Sequence, residues 1–575
     1  MSDPTRRRLL ITAGALAATG LACGSGPEDG RAPGKKSRPA PSKPKPAPTS
    51  HATAPEGGTL FLPPDQVEGT VPTTWTDRPE WFRRAPGIYL ATPVTSGGSS
   101  LLFSAKAKWA MPSRISHFKE LPTFLDEAKK LGTNVLYLVD VYQGPEDWPP
   151  VKWRLWKEHF RIREDLGGAK ALRKAIDQVH AKGGKVILYV TGFAMNRESP
   201  LGKEKGAKWA IIQDGEPIDR PYPDQYMGCP YVKEWREHVV GICARYAQEV
   251  GADGVHVDSL GNQRGWKCES TEHGHEPGDG EAFNVGSQRL LSEVRTAMRK
   301  HVPEAVVLCE GDKLSRLFTG AIDGSQDWGI HDLSQRWVWN QAGNTAIFCA
   351  NWSLDDMHQI VAIGHKWMLT PYWLDPPRQS RVTAWLEAEV PSPSLKGDWR
   401  SRRMELERVY LGLHAFRNAA LLAGKVVPGL DDLTHRRWDG EEIYASREAS
   451  EAHVVALRER AAMLDAAIGG PVDLTAVAEH LRRVMEARAS LSKDIDDGAT
   501  VSLVTSVAGK ASAYLWDGRA KTMAVVNVSD TAATLDLSKG GKVRGRFRDV
   551  ISGREVQVGP KTQSPPHSLM FLRPV

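Results

Sequence analysis

The chain has 575 residues, of which 41% are hydrophobic and 25% charged, so it is long enough for two or three domains and its composition excludes a globally disordered protein. No run of about 18 apolar residues occurs, which excludes a polytopic membrane protein. The formal net charge of +6 does not indicate nucleic-acid binding, because residues 1–57 hold nine basic and four acidic side chains and leave 66 basic and 65 acidic ones elsewhere.

The first 23 residues have the pattern of an export signal. Arg6 and Arg7 precede a short apolar stretch that ends at Ala22, and the charged start resembles a twin-arginine signal. Cys23 resembles the lipidated cysteine of bacterial lipoproteins; the alternative is an ordinary signal cleaved after Ala22. Residues 24–57 are rich in Pro and Lys and predict a disordered tether.

From residue 115 to 375, apolar strand-like runs alternate with amphipathic helices. This alternation predicts parallel strands with right-handed crossovers, and at least seven units without a Gly-rich phosphate loop favour a closed (β/α)8 barrel. Residues 87–93 are either the first barrel strand or part of a small N-terminal β cap formed by residues 58–105. The other predicted strands lie at residues 134–140, 185–191, 254–258, 305–310, 320–323, 345–350 and 366–370.

The barrel domain is expected to occupy residues 106–430. Residues 431–500 combine a linker with a segment rich in Ala, Glu, Arg and Leu, which predicts an added helical pair of structural role. From residue 501 to 575, short alternating runs between Gly, Asp and Ser turns predict an antiparallel sandwich. The predicted fold class is therefore an α/β protein, a (β/α)8 TIM barrel with a helical insertion and a C-terminal antiparallel β-sandwich.

Two acidic residues end neighbouring predicted strands. In a barrel, functional side chains stand at the carboxyl ends of the strands. Asp258 and Glu310 occupy such positions, and neighbouring strands lie about 4.8 Å apart. Two carboxyl groups about 5 Å apart suit a retaining glycosidase, with one as nucleophile and the other as acid/base. Either carboxylate alone could instead cap a helix or anchor a loop.

These two strands also carry a family resemblance. Residues 251–261, GADGVHVDSLG, resemble the fourth-strand motif of α-glycosidase barrels, and residues 306–311, VVLCEG, resemble their fifth-strand acid/base motif. The α-amylase superfamily, the dextranases and the endo-α-N-acetylgalactosaminidases share this order. The resemblance implies that Asp258 is the catalytic nucleophile and Glu310 the catalytic acid/base.

The sequence departs from that family in two places. His256 stands where the superfamily usually has an Arg, and the loop at residues 262–282 is longer than in amylases. His256 either hydrogen-bonds Asp258 or the substrate, or faces the barrel core. Because of these departures, the substrate class of the family does not transfer to this chain.

Further substrate-binding groups are expected at the other strand ends, where polar side chains bind hydroxyls and flat aromatic faces stack on sugar rings. Asp327 is the candidate for the third carboxylate of amylases, with Asp323 and the His331-Asp332 pair as rivals. The predicted substrate-binding set is Asp140, Tyr142, His256, His275, Asp327, Trp328, Asn351, Trp352 and Trp373.

The loop after the proposed nucleophile is unusual in composition. Cys268, His273 and His275 stand close together with acidic residues, a set that could bind a transition metal. The cysteine spacings, however, match no zinc pattern. We therefore expect this loop to line the substrate cleft, with His275 touching sugar hydroxyls, and we expect neither a metal nor an organic cofactor.

Taken as one pattern, these features predict an exported glycosidase, tethered to a membrane by a lipid at Cys23, that acts on α-linked oligo- or polysaccharides. One alternative is a non-catalytic carbohydrate-binding lipoprotein of the cell envelope on the same scaffold. Another is a metal-dependent hydrolase that uses Cys268, His273 and His275. No nucleic-acid partner is expected.

Overall fold

The structure, a computed structural model, comprises a barrel, a helical insertion and a C-terminal domain. The described residues are 78–91, 99–100, 103–104, 117–139, 141–144, 158–218, 225–260, 266–310, 321–327, 346–350, 354–369, 381–389, 413–425, 447–470, 475–495, 500–518, 520–539 and 543–575. Within them, no helix is long and apolar enough to cross a membrane.

Eight parallel strands close into a barrel in chain order. They are β1 Gly87–Ala91, β2 Val135–Leu138, β3 Lys185–Thr191, β4 Gly254–Asp258, β5 Val306–Glu310, β6 Gly324–Asp327, β7 Ala346–Ala350 and β8 Lys366–Leu369. The last strand pairs with the first, with Ile88 opposite Met368. The predicted (β/α)8 fold class is confirmed, and Gly87–Ala91 is the first barrel strand.

The sixth strand begins later than its sequence suggested. The prediction placed it at residues 320–323, whereas the structure has it at Gly324–Asp327. Asp323 precedes the strand, is fully buried, and forms ion pairs with Arg295 and Arg299. The apolar pair before Asp323 gave a false strand signal, because the true strand is made of small and polar residues that apolar patterning does not reveal.

Helices surround the barrel because each presents one apolar stripe to it. In the helix that follows β2, for example, Leu172, Ile176 and Val179 recur at helical spacing and are fully buried. The labelled helices in this part of the chain are α1 Glu80–Arg84, α2 Leu121–Lys130, α3 Gly168–Ala181, α4 Lys233–Arg245, α5 Gly280–Arg299, α6 Leu354–Ala362 and α7 Val382–Glu389; the short turn Ala207–Trp209 and residues 413–422 are also helical.

A small excursion interrupts the chain between β3 and α4. It contains an antiparallel pair, Ala194–Asn196 with Gln225–Met227, and a hairpin, Ile212–Gln213 with Glu216–Pro217. Because the excursion leaves the barrel after the carboxyl end of β3, it lies on the side where barrel enzymes carry their active sites.

The helical insertion packs at the opposite end of the barrel. A Cβ on Gly87, the first residue of β1, would lie 2.3 Å from the backbone oxygen of Trp367, which requires glycine there, and 2.6 Å from Cε of Met485 in the insertion. Met485 therefore meets the amino end of a strand, at the end of the barrel opposite the carboxyl ends of the strands, which agrees with a structural role. The helices of the insertion are α8 Arg447–Ile468, α9 Thr475–Ser490 and α10 Ser492–Ile495.

The C-terminal domain is antiparallel, as predicted. Its strands are β9 Thr500–Val507, β10 Ala511–Asp517, β11 Lys521–Asn527, β12 Ala533–Leu535, β13 Gly545–Asp549, β14 Glu555–Val558, β15 Thr562–Ser564 and β16 Ser568–Pro574. Six of them form one sheet in the order β9-β10-β11-β16-β13-β14, and β12 pairs with β15. The domain contacts the barrel through Trp516, whose Nε1 donates to the carbonyl of Ala362 in α6 (3.2 Å).

Candidate active site

Asp258 and Glu310 stand at the same level of the barrel rim. Val257 of β4 pairs with Cys309 of β5, so the next residue of each strand is the acidic one. Glu310 is 4% exposed and Asp258 is half-buried. Gly254 allows the two strands to approach, because a Cβ there would lie 2.6 Å from Cγ2 of Val306. The two acidic residues therefore lie side by side at the carboxyl ends of neighbouring strands.

Ser259 connects both acids. Its backbone amide donates to Oε2 of Glu310 (3.2 Å), and its hydroxyl donates to Oδ2 of Asp258 (3.0 Å). The residue has a φ of 71°, a conformation that is costly for a side chain other than glycine and that is found mainly at functional sites. The strained turn directs the amide and the hydroxyl of one residue to two carboxyl groups.

Tyr189 is a site residue that the sequence reasoning missed. It lies on β3 opposite His256, and its hydroxyl donates to Oδ2 of Asp258 (2.8 Å). Burial and the Asp258 carboxylate raise the pKa of Tyr189 well above its ordinary value, so the hydroxyl stays protonated and donates. A hydrogen bond from a neutral donor favours the ionised form of the acceptor. Two donors thus stabilise Asp258 as a carboxylate.

The predicted Tyr142 belongs to an aromatic wall beside these acids. Its ring stacks on Tyr189 with a centroid distance of 6.2 Å and contacts Phe160 at 4.5 Å. Tyr142 lies at the carboxyl side of β2 and is 3% exposed. It therefore packs against the residue that contacts Asp258.

His256 faces the barrel interior, one of the two positions that the sequence left open. Its Nδ1 lies 2.5 Å from the hydroxyl of Tyr137, and its ring is 1% exposed. Burial lowers the pKa of His256 to about 4, against a smaller opposing effect of Asp258. The ring is therefore neutral at physiological pH and lies one layer below the acids.

His275 does not contact the acid pair. Its Nε2 lies 3.6 Å from Sγ of Cys229, its Nδ1 lies 3.0 Å from the carbonyl of Glu276, and its ring packs against Tyr231. The contacts of His275 therefore place it in a separate cluster of the loop between β4 and α5, and its predicted role in sugar binding remains untested.

The candidates for the third carboxylate, Asp327 and Asp323, lie at opposite ends of β6. Asp327 ends β6 at the rim, whereas Asp323 lies at the amino end of β6 and is bound by arginines, which makes it structural. The remaining predicted groups lie outside the described residues: Cys23, Asp140, Trp328, the His331-Asp332 pair, Asn351, Trp352 and Trp373. Their roles stay predictions.

Comparison with known proteins supports the fold. Residues 103–323, which contain both acids, match the family described as a domain of unknown function (DUF6259). A Bacteroides thetaiotaomicron protein described as a "Putative glycoside hydrolase" is 25% identical over 156 residues, which cover 26% of this chain and 23% of that protein. The matched region thus spans less than a quarter of that relative.

Solved structures share the architecture at low sequence identity. An α-glucosyl transfer enzyme has a TM-score of 0.53 and 11% identity, over 87% of this chain and 100% of that enzyme. A trehalose-6-phosphate hydrolase of Bacillus licheniformis has a TM-score of 0.49 and 13% identity, over 86% and 100% of the two chains. The first likeness shows the fold that the resemblance to α-glycosidase barrels implied.

Proposed function

We propose that the chain is a glycoside hydrolase that cleaves α-linked oligo- or polysaccharides with retention of anomeric configuration. Asp258 is the nucleophile and Glu310 the acid/base. The observation that carries this proposal is the pair of carboxyl groups at one level of the rim, both hydrogen-bonded to Ser259. A pair of carboxyl groups on one substrate bond is the arrangement that glycoside hydrolysis requires.

In the first step, a carboxylate oxygen of Asp258 bonds to the anomeric carbon while the bond from that carbon to the leaving oxygen breaks. Glu310 gives its proton to the leaving oxygen, and the glycosyl group becomes an ester of Asp258. The hydrogen bonds from Tyr189 and Ser259 hold the attacking carboxylate in place. The same hydrogen bonds stabilise the negative charge of Asp258. The carboxylate therefore attacks the anomeric carbon as positive charge develops on the sugar.

In the second step, water attacks the same carbon from the face that the leaving group vacated. Glu310, now a carboxylate, takes a proton from that water, and the ester bond breaks. Asp258 is released as a carboxylate and Glu310 as an acid, so the cycle closes without a cofactor. Two displacements at one carbon give retention.

The decisive experiment is a screen of aryl α- and β-glycosides and of polysaccharides, with the anomer formed first read by NMR. We expect turnover of an α-glycoside and initial release of the α-anomer. Release of the β-anomer would contradict the double displacement. If broad panels give sugar binding without turnover, the chain is the non-catalytic carbohydrate-binding protein instead.

Glu310→Gln separates the acid/base role from a role in binding. We expect turnover of substrates with poor leaving groups to fall by about 10²–10⁴, while aryl glycosides with acidic phenols still form the glycosyl-enzyme. Added azide should then restore turnover and yield an α-glycosyl azide, because it needs no base. An equal loss for all leaving groups without azide rescue would exclude this role.

We also propose that the protein is exported and tethered to a membrane through a lipid on Cys23. The support is the signal-like segment that ends at Cys23 and the tether at residues 24–57. Wild-type protein should fractionate with membranes of its host, and Cys23→Ala should abolish that association. Equal membrane association of both forms would contradict the lipid anchor.

A further inference from the structure

Four potential metal ligands converge outside the catalytic pair. Cys229 lies in the turn between the excursion and α4, and Cys268, His273 and His275 lie in the loop between β4 and α5. One ligand atom of each lies within 4.8 Å of the others. Sγ of Cys268 is 3.3 Å from Nδ1 of His273, and Sγ of Cys229 is 3.6 Å from Nε2 of His275.

Both histidines turn one ring nitrogen to a sulfur atom and the other to a backbone carbonyl. Nε2 of His273 lies 2.9 Å from the carbonyl of Lys208, and Nδ1 of His275 lies 3.0 Å from the carbonyl of Glu276. A carbonyl only accepts, so these nitrogens carry the hydrogen, and in a neutral ring the opposite nitrogen carries a lone pair. Metal-binding histidines are oriented in this way by their outer hydrogen bonds.

Backbone amides also surround the two sulfur atoms. The amide of Ile212 donates to Sγ of Cys268 (3.4 Å), and the amides of Tyr231 and Val232 donate to Cys229. Cys229 is 1% and Cys268 3% exposed. Hydrogen bonds of this kind fix the positions of the two sulfur atoms, as outer hydrogen bonds do for metal ligands.

We propose that Cys229, Cys268, His273 and His275 bind one zinc ion in a closed tetrahedral site. Zinc–sulfur bonds of about 2.3 Å and zinc–nitrogen bonds of about 2.0–2.1 Å give ligand–ligand distances of about 3.3–3.8 Å in a tetrahedron, and the two sulfur–nitrogen distances of 3.3 Å and 3.6 Å match them. Two thiolates and two imidazoles in this geometry favour zinc.

The site is structural rather than catalytic. The protein supplies all four ligands, so no position is left for water or substrate, as a catalytic zinc would need. The ion would fasten the loop between β4 and α5 to the excursion, where the carbonyl of Ile212 already accepts from the amide of Glu269 (2.8 Å). That loop also contacts the end of β3, since Trp266 packs on Phe193 at 5.9 Å. The ion thus stiffens one wall of the catalytic rim.

The direct test is the metal content of the full-length protein, purified without chelators and measured by plasma mass spectrometry. We expect one zinc ion per chain. Cys268→Ser and His273→Asn should reduce it to about a tenth or less, because each removes one of the four bonds that hold the ion. Cys243→Ala is the matched control, since Cys243 is a buried thiol of α4 outside the cluster, and it should keep its zinc.

Cobalt substitution tests the site on wild-type protein, so failure of a variant to fold does not decide the matter. After the zinc is removed, Co²⁺ should give thiolate charge-transfer bands and the intense visible bands of a tetrahedral ion, and one equivalent of zinc should abolish them. The chelated protein should also be cleaved faster by protease between residues 261 and 279. Less than stoichiometric metal with no cobalt bands, or a disulfide between Cys229 and Cys268 by mass spectrometry, would overturn the proposal.

Discussion

The catalytic rim and the junction between barrel and C-terminal domain both bury carboxylates, but they satisfy them differently. At the rim, Asp258 receives hydrogen bonds from the neutral donors Tyr189 and Ser259. At the junction, Asp355 of α6 accepts from His567 at 2.9 Å and lies 3.4 Å from Nη2 of Arg417. Neutral donors leave a negative charge available to a substrate, whereas cationic partners neutralise it.

The same contrast appears in the histidines of the two regions. His256, in the interior below the rim, lies 2.5 Å from the neutral hydroxyl of Tyr137, and burial lowers its pKa to about 4. His567 lies between Asp355 and Asp530, and these carboxylates raise its pKa although burial opposes them. Burial therefore determines the direction of the pKa shift at His256, whereas the neighbouring carboxylates determine it at His567.

The largest effect should follow Asp258→Asn. Loss of the nucleophile should lower kcat on the best aryl α-glycoside by about four orders of magnitude or more. The free energy of unfolding should change by less than about 1 kcal/mol, because asparagine keeps the shape and the acceptor oxygen. Kinetics and urea unfolding measure the two. The control is Asp177→Asn, which removes an exposed ion pair with Arg173 and should change neither kcat nor the free energy of unfolding. A large loss of stability in Asp258→Asn would contradict the difference between the rim and the junction.

Asp355→Asn should have the opposite outcome. Removing the carboxylate leaves His567 and Arg417 without their shared partner, and breaking a buried ion pair costs about 3–5 kcal/mol. The free energy of unfolding from urea titrations should fall accordingly, while kcat/KM at a temperature where the variant is folded should stay within about twofold of wild type. A matched loss of kcat/KM would show that the junction also shapes the rim.

Tyr189→Phe should have an intermediate effect that is confined to the rim. A hydrogen bond to a charged group contributes about 1.5–3 kcal/mol, so kcat should fall about tenfold to a hundredfold with little change in KM. Rapid quench should show slower formation of the glycosyl-enzyme. Tyr246→Phe is the matched control, because that buried hydroxyl donates to the carbonyl of Phe160 and not to an acid. An unchanged kcat in Tyr189→Phe would remove Tyr189 from the mechanism.

The smallest effects concern pH, and the two histidines should differ in sign. His256 has a lowered pKa in the folded protein, so on acidification the unfolded chain takes up the proton at a higher pH than the folded protein does. The stability that neutral His256 contributes is therefore present above a pH of about 6.5 and is lost as the pH falls toward 4. His567 has a raised pKa, so its contribution is complete below pH of about 6.5 and is lost as pH rises through the folded-state value.

Urea unfolding of wild type, His256→Gln and His567→Gln at several pH values checks these signs. The destabilisation caused by His567→Gln should shrink from pH 6 to pH 9, by about 1.4 kcal/mol per pH unit at most. His256→Gln should instead lessen the loss of stability on acidification between about pH 6.5 and pH 4. If the two substitutions changed the free energy of unfolding with the same dependence on pH, the two regions would not differ in electrostatics.

The sequence by itself determined the barrel, the sandwich and the two acids, because these depend on local periodicity. A strand of a parallel sheet, such as β4, is buried on both faces, so its sequence is a nearly continuous run of apolar residues. A polar residue that ends such a run must stand at the rim. This rule places Asp258 and Glu310 at the rim together with other strand-end residues, and Val257 opposite Cys309 shows that these two lie at a common level.

Only the tertiary structure decided which side chains meet across elements. Tyr189 reads as one more apolar strand residue until the barrel closes and brings its hydroxyl to Asp258. Cys229 stands 39 residues before Cys268, a separation that matches no local metal pattern, and it joins the cluster because the excursion folds back onto the loop. Long-range contacts of this kind depend on how the strands and loops are arranged in space, and residue spacing does not encode that arrangement.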